Sequence, residues 1–537
     1  MSSDLAENTV VFPVRSKILL AAFSLAGGVF YALALPPLNC WILIFFALIP
    51  LFYCGLICNW KSALLCGWLW GLGWAVFAYN FLREIHPAVP YMLAPVLALW
   101  PAVFTVSATF LARRFFRNGR PGFALQWDLP LKPLIRYLIC CAALFTVVEW
   151  TRYYLFVWND LSVTLWRVPL LMQIARLAGR YGASLLITSL NALFFALIFS
   201  RKRLIPAAVL AVYPLFCLIY GIYRLNCSEQ PSEPVVWKCA LIQGNLPQQR
   251  IASAEQIFNS INLYTSLSEK TLSDAPDTII WPECAIPIPL RSNTQLAAFY
   301  RKQVAQLKKQ LLLGTLDFTA GGELTNSALL ISADGRFRGK YDKFHRVPYG
   351  EYVPFRSVLP ESWIAAFDMG RDLAAGKKIE PLTVSRDIRV GTAVCYEGVF
   401  SYLSAGFARS GANVLAAISN DVWYPQSSEP EQHLANAVMR CVETGLPMVR
   451  CGNNGGSGVV TAKGVFTQYI GSSAARPELL REQAAGIVTV NLDRHPEITL
   501  AVRFENAIVY LLVIILAGLI ISGGKTEKKE DETAKNQ

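Results

Sequence analysis

The sequence predicts a multispan α-helical membrane bundle of eight spans, with one α/β domain inserted between the seventh and eighth spans. The chain has 537 residues, of which 54% are hydrophobic and only 16% are charged, whereas about one quarter of the residues in a soluble domain are charged. Charged residues are missing mainly from apolar runs of about 20 residues, a length that crosses a bilayer core. Residues 224–505 instead mix polar and apolar positions, which is typical of a globular domain with its own core.

Each predicted span is a charge-free run, except the fifth, which is interrupted by Glu149 and Arg152. Ionisable side chains inside a span usually face the bundle interior or water. We therefore expect these two either to pair one helical turn apart or to contact a lipid headgroup. The predicted runs are 18–36, 38–58, 62–82, 87–112, 136–157, 183–200, 204–223 and 506–522. The expected organisation is a membrane domain at 1–223, a polar linker at 224–235, the α/β domain at 236–505, span eight at 506–524 and a tail at 525–537.

The orientation follows from the basic residues in the short loops. Arginines and a lysine between spans four and five, and the sequence RKR at 201–203, lie on the same side as both termini. Basic loops mark the cytoplasmic side, so we expect cytoplasmic termini and an α/β domain that faces out of the cytoplasm. The net charge of +12 is largely explained by these loops, and it gives little support for a nucleic-acid partner.

Strands and helices alternate through the α/β domain, which predicts a layered α/β fold. The predicted helices lie at 254–272, 294–310, 400–411 and 430–445, and residues 339–355 read as a loop. The predicted strands lie at 236–245, 277–283, 311–318, 326–335, 388–394, 412–420, 447–453 and 457–464.

Three residues at the ends of these elements are the candidates for catalysis. Glu283 ends a predicted strand, Lys343 lies in the polar loop, and Cys395 ends a strand just before a helix. A strand-to-helix turn exposes its side chain beside backbone N–H groups and a helix N-terminus, and a cation nearby favours the reactive thiolate. Glu283 would serve as a base and Lys343 would stabilise an oxyanion. His345 lies near Lys343 and competes for the role of base.

The thirteen cysteines are dispersed and include no C-x-x-C pair. This spacing argues against a disulfide scaffold and against a zinc site. It leaves open whether cysteines of the α/β domain pair with one another.

Several segments together resemble the apolipoprotein N-acyltransferase family of the nitrilase superfamily, over nearly the whole chain. In the α/β domain they are WPE at 281–283, YDKFHRVPYGEYVPF at 341–355, VCYEGVF at 394–400, SNDVWY at 419–424, QHLANAVMR at 432–440 and NNG at 453–455. In the membrane half they are EWTR at 149–152 and QIARLAGRYGAS at 173–184.

The resemblance implies an αββα sandwich on an eight-span bundle in the bacterial inner membrane, acting as a monomer without cofactor or metal. It implies that a cysteine takes an acyl chain from a phospholipid as a thioester. The chain then passes to the α-amino group of the N-terminal diacylglyceryl-cysteine of an apolipoprotein, the last step of lipoprotein maturation.

The resemblance also implies roles for individual residues. Glu283 matches the general base, Lys343 the oxyanion stabiliser and Cys395 the nucleophile. Further matches are residues that the family needs around the site, Glu351, Tyr396 and Glu397, and an aromatic in a mobile loop, Trp423. One departure concerns substrate contacts, because Ala252 stands where family members often carry a tryptophan.

Two other functions remain open at this level. A membrane-tethered amidase would use the same three residues on a small soluble amide. A transporter or receptor would only bind ligands in the outer domain, but it would need paired polar residues through the spans or an internal repeat of spans. The sequence shows neither of these features.

Overall fold

The computed structural model describes residues 14–116, 121–124, 127–227, 231–247, 253–292, 294–366, 372–424, 426–471 and 480–535. The chain divides into a helical unit, Met1–Asn226 with Asn506–Gln537, and an α/β unit, Cys227–Glu505. The described helices of the helical unit are Val14–Ala34, Ile44–Ala47, Ile49–Ile57, Trp60–Ala78, Val89–Leu97, Leu99–Phe115, Leu131–Arg152, Pro169–Met172, Ala175–Phe199, Leu204–Leu210, Val212–Asn226 and Ala507–Lys535. The helix Ala507–Lys535 includes most of the stretch predicted to be a separate tail.

Four helices of the described chain are long and apolar enough to cross a membrane, and the prediction of eight spans is not confirmed. The four are Arg15–Ala34, Val89–Phe115, Leu131–Arg152 and Ala175–Phe199. A fifth arises if Leu204–Leu210 and Val212–Asn226, which are bent by 44°, count as one span. The apolar helices Trp41–Ile57 and Ala507–Ser522 are shorter than a span.

The helix Trp60–Ala78 corresponds to a predicted span but is not among these four. It is rich in Trp and Gly, which are less hydrophobic than Leu or Ile. Its glycines allow close packing. A Cβ on Gly67 would lie 2.5 Å from the carbonyl oxygen of Pro101. A Cβ on Gly28, on the helix Val14–Ala34, would lie 1.9 Å from the carbonyl oxygen of Trp70 on this helix. Glycine therefore lets neighbouring backbones touch, as in many membrane bundles.

Four buried charged residues, here called the helix–loop cluster, join the helix Leu131–Arg152 to the chain that follows it. They are Glu149, Arg152, Asp160 and Arg180. Glu149 accepts hydrogen bonds from the backbone N–H of Leu161 at 2.7 Å and from the Ser184 hydroxyl at 2.5 Å.

Arg152 turns to the loop beyond its own helix. It donates to the carbonyl oxygens of Trp158 at 2.8 Å and Asn159 at 3.0 Å. Asp160 and Arg180 form an ion pair at 3.0 Å. The expected pairing of Glu149 with Arg152 is therefore not seen, because each side chain satisfies groups of the 158–161 loop or the next helix instead.

The α/β unit contains two six-stranded sheets. The strands are β1 Pro234–Gln243, β2 Thr278–Ile280, β3 Gln310–Phe318, β4 Leu324–Ile331, β5 Phe337–Asp342, β6 Leu382–Thr383, β7 Arg389–Val394, β8 Val414–Ser419, β9 Met448–Gly452, β10 Gly458–Val460, β11 Phe466–Thr467 and β12 Ala484–Asp493. Their spatial order is β12-β1-β2-β3-β4-β5 in the first sheet and β11-β10-β9-β8-β7-β6 in the second. The strands β1, β2 and β3 run parallel to one another, as do β7, β8 and β9.

Helices cover the outer face of each sheet, so the unit has four layers: helix, sheet, sheet and helix. Ile257, Tyr264 and Tyr300, from two helices, pack into the core of the first sheet. Between the sheets, the Cys451 thiol of β9 donates to the carbonyl of Ile280 on β2 at 3.2 Å. These layers confirm the predicted α/β architecture. The helices of this unit are Ala254–Glu269, Gln295–Ala305, Glu361–Ala366, Ser401–Arg409, Glu429–Thr444 and Leu500–Phe504.

Four of the described strands were not predicted. β5 falls largely in the stretch read as a loop, because it is a polar strand at the edge of its sheet. β12, which pairs with β1 over its whole length, begins with Ala and Gly, and these are weak strand formers. β6 and β11 are only two residues long. All thirteen cysteines are free thiols, which answers the question that the spacing left open.

Candidate active site

Glu283 lies just beyond the end of β2, where the neighbouring strand makes room for its backbone. The backbone N–H of Gly314 on β3 donates to the Pro282 carbonyl at 3.1 Å. A Cβ on Gly314 would lie 2.4 Å from the Cα of Glu283, so glycine is required for this approach. The Glu283 side chain is 7% exposed. A strand end and one glycine together fix a buried carboxylate at the edge of the first sheet.

Glu283 belongs to a buried group of four side chains, here called the carboxylate cluster: Glu283, Asn326, Lys343 and Glu351. The Lys343 ammonium donates to Oε1 of Glu283 at 3.2 Å and to Oε1 of Glu351 at 2.9 Å. The Asn326 amide donates to the same two oxygens, at 2.8 Å each. Burial alone would lower the pKa of Lys343, but Glu283 and Glu351 outweigh it and hold that pKa well above its usual value. Lys343 is therefore a fixed buried cation.

Asn326 is the member of this cluster that sequence reasoning missed. It lies on β4, and its carbonyl oxygen accepts from the backbone N–H of Lys343 at 2.8 Å. Its signal was visible, because Asn is depleted in strands and this one lies in a strand whose second half, ALLI, is apolar. A buried Asn amide adds donors without adding charge, and here it supports the second carboxylate that one lysine cannot neutralise.

Cys395 ends β7 and begins a short 3-10 turn, Cys395–Val399. Its φ of 53° lies in the left-handed region, which is unfavourable for a residue with a Cβ. Burial raises the pKa of its thiol well above the usual value, the charge of Glu283 raises it further, and Lys343 opposes both. The thiol thus lies within electrostatic range of Glu283 and Lys343, although it comes from the other sheet. At rest it is held as a protonated thiol.

Glu397 connects the turn of Cys395 to the loop of Lys343. Its Oε2 accepts from the backbone N–H of Val394 at 2.9 Å. Its Oε1 accepts from the backbone N–H groups of Phe344 at 2.7 Å and His345 at 3.0 Å. Burial raises the pKa of the Glu397 carboxyl to about 7, against the lowering effect of these donors. Glu397 bonds to Val394, which precedes Cys395, and to Phe344, which follows Lys343. It therefore holds the loops of the two candidate residues in register.

His345, the alternative base, faces a different set of groups. Its Nδ1 lies 3.0 Å from the Tyr402 hydroxyl, and its ring centre is 3.7 Å from that of Phe400. Burial and the charge of Lys343 lower its pKa to about 4. The ring of Tyr396 packs edge-on against Phe400 at 5.0 Å. The structure therefore places His345 and Tyr396 in an aromatic group beside the site.

Trp423 is the last of the predicted site residues. Trp423 ends a short 3-10 turn, Asp421–Trp423, and 43% of its side chain is exposed. Ala252, the departure from the family pattern, lies outside the described residues. Exposure of so large an aromatic side chain is compatible with contact to an apolar partner.

The carboxylates of this site are already neutralised or bonded by Lys343, Asn326 and backbone donors. Within the described chain they therefore leave no free ligand set for a metal ion at this place. In the helical unit, the thiols of Cys54, Cys58 and Cys66 lie within 4.8 Å of one another. A metal trithiolate there would leave negative charge in apolar surroundings, which is costly.

Taken together, the α/β unit brings a half-buried thiol within electrostatic range of a buried carboxylate and a fixed ammonium. This set suits nucleophilic acyl transfer through a thioester, with the ammonium near the developing oxyanion.

Comparison with known proteins identifies the family of the chain. The sequence model of the carbon-nitrogen hydrolase family matches residues 238–492, and that of the apolipoprotein N-acyltransferase N-terminal domain matches residues 27–193. The chain is 33% identical over 387 residues to an apolipoprotein N-acyltransferase of Geobacter metallireducens, covering 70% of each chain. It is 30% identical over 484 residues to the enzyme of that name from Allorhizobium ampelinum, covering 83% of this chain and 86% of the relative.

A relative from Haemophilus influenzae with the same name is 26% identical over 484 residues, covering 85% of this chain and 88% of its own. The matches thus extend over both units and over most of each relative. The chain belongs to the apolipoprotein N-acyltransferase family and is an N-acyltransferase.

Proposed function

We propose that this protein transfers an acyl chain from a phospholipid to the N-terminal amine of a diacylated apolipoprotein, through a thioester on Cys395. The observation that supports the proposal is the carboxylate cluster, whose Glu283 and Lys343 lie within electrostatic range of the half-buried Cys395 thiol. Family membership supports the lipoprotein as acceptor.

The first step needs a proton acceptor for the thiol. Oε1 of Glu283 is occupied by Lys343 and Asn326, while the described residues give its Oε2 no hydrogen-bond partner. We assign Oε2 as the atom that takes the proton of the Cys395 thiol. The sulfur then attacks the acyl carbonyl carbon of the phospholipid, and a C–S bond forms.

The charge that develops on the carbonyl oxygen is stabilised by Lys343. Because its ammonium is already fixed by two carboxylates, it needs no reorganisation during the reaction. As the intermediate collapses, the ester C–O bond breaks, and the proton held by Glu283 passes to the leaving lysophospholipid alkoxide. The thioester remains on Cys395.

The second step reverses the same proton path. The α-amino group of an N-terminal cysteine has a pKa of about 7.7–8.0, so part of it is neutral near pH 7 and can attack the thioester. Glu283 takes a proton from the amine as the C–N bond forms, and the thiolate leaves and is protonated again. A poorly hydrated lipid pocket would favour the amine over water.

We further propose that the protein acts as a monomer in the inner membrane, with cytoplasmic termini and a periplasmic α/β unit. The basic loops between predicted spans four and five and at 201–203 support this orientation. Glu351, Tyr396, Glu397 and Trp423 would shape the site around Cys395, with Trp423 presenting an exposed aromatic side chain to lipid.

The test is incubation of purified protein with phospholipid and a lipopeptide that bears diacylglyceryl-cysteine at a free N-terminus. Mass spectrometry should detect an acyl group on the peptide containing Cys395 and, after lipopeptide is added, N-acylated product. Cys395→Ala should give neither signal, while Cys227→Ala, at a cysteine outside the site, should give both.

Acyl-enzyme on the Cys395→Ala protein would contradict the proposed nucleophile. Release of ammonia from a soluble amide without any phospholipid requirement would contradict the acyl donor and favour a membrane-tethered amidase.

A further inference from the structure

A second buried polar group holds Cys395 from the side opposite the carboxylate cluster. His433, on the helix Glu429–Thr444, lies with its Nε2 2.9 Å from the backbone carbonyl oxygen of Cys395. This carbonyl belongs to the residue held at a φ of 53°. A left-handed conformation at a residue with a Cβ persists only when surrounding contacts enforce it. The bond from His433 is such a contact.

The partners of the two ring nitrogens determine the charge of His433. A carbonyl oxygen can only accept, so Nε2 carries a proton. Nδ1 lies 2.9 Å from Oδ1 of Asp421, whose Oδ2 pairs with Arg450 at 2.5 Å. Burial would raise the pKa of the Asp421 carboxyl, but His433 and Arg450 outweigh it and hold that pKa below its usual value. Facing an ionised carboxylate, Nδ1 carries a proton as well.

A second carboxylate favours the same state. Asp421, Glu429 and Arg450 are each less than 5% exposed, and Oε1 of Glu429 lies 3.8 Å from Nδ1 of His433. A positive imidazole ring is attracted to both carboxylates, and solvent screens this attraction little at a buried site.

The charge of His433 matters for the nucleophile because Asp421 and Glu429 both disfavour the Cys395 thiolate. The phenols of Tyr396 and Tyr424 also lie on this side. On the far side the thiol meets Glu283 and Lys343. A cation at His433 therefore offsets the two carboxylates that Lys343 does not contact.

We propose that His433 is a positioning residue that holds the Cys395 turn through the backbone carbonyl and, as an imidazolium fixed by Asp421, lowers the cost of forming the thiolate. The proposal deepens the proposed function and rests on Cys395 as its nucleophile. His433 contacts the Cys395 backbone and the carboxylates of Asp421 and Glu429, so we assign it to act through Cys395.

Two substitutions separate the two contacts in the full-length protein. His433→Gln keeps a neutral donor near the position of Nε2, facing the carbonyl, whereas His433→Asn keeps one near Nδ1, facing Asp421. Both remove the charge. We expect the Cys395 alkylation rate to reach half its maximum at a higher pH in both variants. Acyl-enzyme formation should slow about tenfold to hundredfold in His433→Asn, as expected for loss of a hydrogen bond from a charged donor, and less in His433→Gln.

Alkylation by iodoacetamide, followed by mass spectrometry on the peptide containing Cys395, reports the thiolate without phospholipid or lipopeptide. The alkylation profile therefore tests this inference even if the protein transfers no acyl chain, and the acyl-transfer assay tests the proposed function separately. His495→Gln, at an exposed histidine, is the matched control and should leave the profile unchanged.

An alkylation profile that is the same in wild type and both variants would overturn the proposal. A lower melting temperature with an unchanged profile would do so too, because it would reduce His433 to a structural residue. A rate of acyl-enzyme formation that is closer to wild type in His433→Gln than in His433→Asn would support the positioning role.

Discussion

The helix–loop cluster and the carboxylate cluster are both buried groups of charge, yet their hydrogen bonds are used differently. In the helix–loop cluster, both oxygens of Glu149 and the guanidinium of Arg152 are bonded to groups that fold the chain. In the carboxylate cluster, donors converge on Oε1 of Glu283, and within the described residues its Oε2 is left without a hydrogen bond. A buried charge whose bonds are complete supports structure, whereas an open acceptor atom within electrostatic range of a thiol is the atom that we propose takes part in chemistry.

The distinction predicts which substitutions change the rate of Cys395 acylation and which change stability. The largest effect is expected at Glu283. Replacing it with Gln removes the proton acceptor while keeping the size of the side chain, so acyl-enzyme formation should slow by about 10²–10⁴-fold, the usual range for a general base. Transfer of labelled acyl chains to Cys395, followed over time, measures this.

The matched control is Glu323→Gln, at an exposed carboxylate in the turn between β3 and β4. It should acylate like wild type. Normal acylation by Glu283→Gln would mean that another group takes the thiol proton.

A smaller effect on rate is expected at Asn326. Asn326→Ala removes a donor from both Glu283 and Glu351, which makes the charged form of each carboxylate less favourable. The loss of a hydrogen bond to a charged group predicts a rate about tenfold to hundredfold lower. It also predicts an acid limb of the pH–rate profile that moves to higher pH, since the base protonates more readily. An acid limb that stays in place would show that Asn326 does not support the base.

A still smaller effect on chemistry, with a clear effect on stability, is expected in the helix–loop cluster. Arg152→Met breaks the bonds to the carbonyls of Trp158 and Asn159, at a cost of about 2 kcal/mol for charge-assisted hydrogen bonds. Thermal unfolding in detergent should begin several degrees lower, with little change in Cys395 acylation below the transition. Slower acylation at an unchanged melting temperature would instead assign Arg152 to a lipid headgroup.

The smallest effect expected is a pH dependence of stability from Glu397. Its carboxyl pKa is raised from 4.5 to about 7 in the folded protein, chiefly by burial. A raised pKa contributes stability that is fully present below about pH 4.5 and is lost as the pH rises through about 7. The melting temperature of wild type minus that of Glu397→Gln should therefore fall across this window. A difference that is constant with pH would show that Glu397 does not titrate there.

Sequence patterns predicted the elements that carry the candidate residues, for local reasons. The strand that ends at Val394 and the helix Glu429–Thr444 lie where periodicity placed them. The edge strand β5 was missed because a strand at a sheet edge does not need an apolar pattern. The prediction of eight spans is not confirmed, because charge-free length alone does not set the hydropathy of a helix, and four or five helices of the described chain are apolar enough to cross a membrane.

By itself the sequence determined the family of this protein, a layered α/β part joined to apolar helices, and which Glu, Lys and Cys to consider. Those are properties of residue type and spacing along the chain. Only the tertiary structure decided that Asn326 shares the carboxylates, that Glu397 joins two loops, and that His433 bonds to the Cys395 carbonyl. These contacts join residues from different strands, loops and helices, and their chemistry depends on burial and on which oxygen faces which donor.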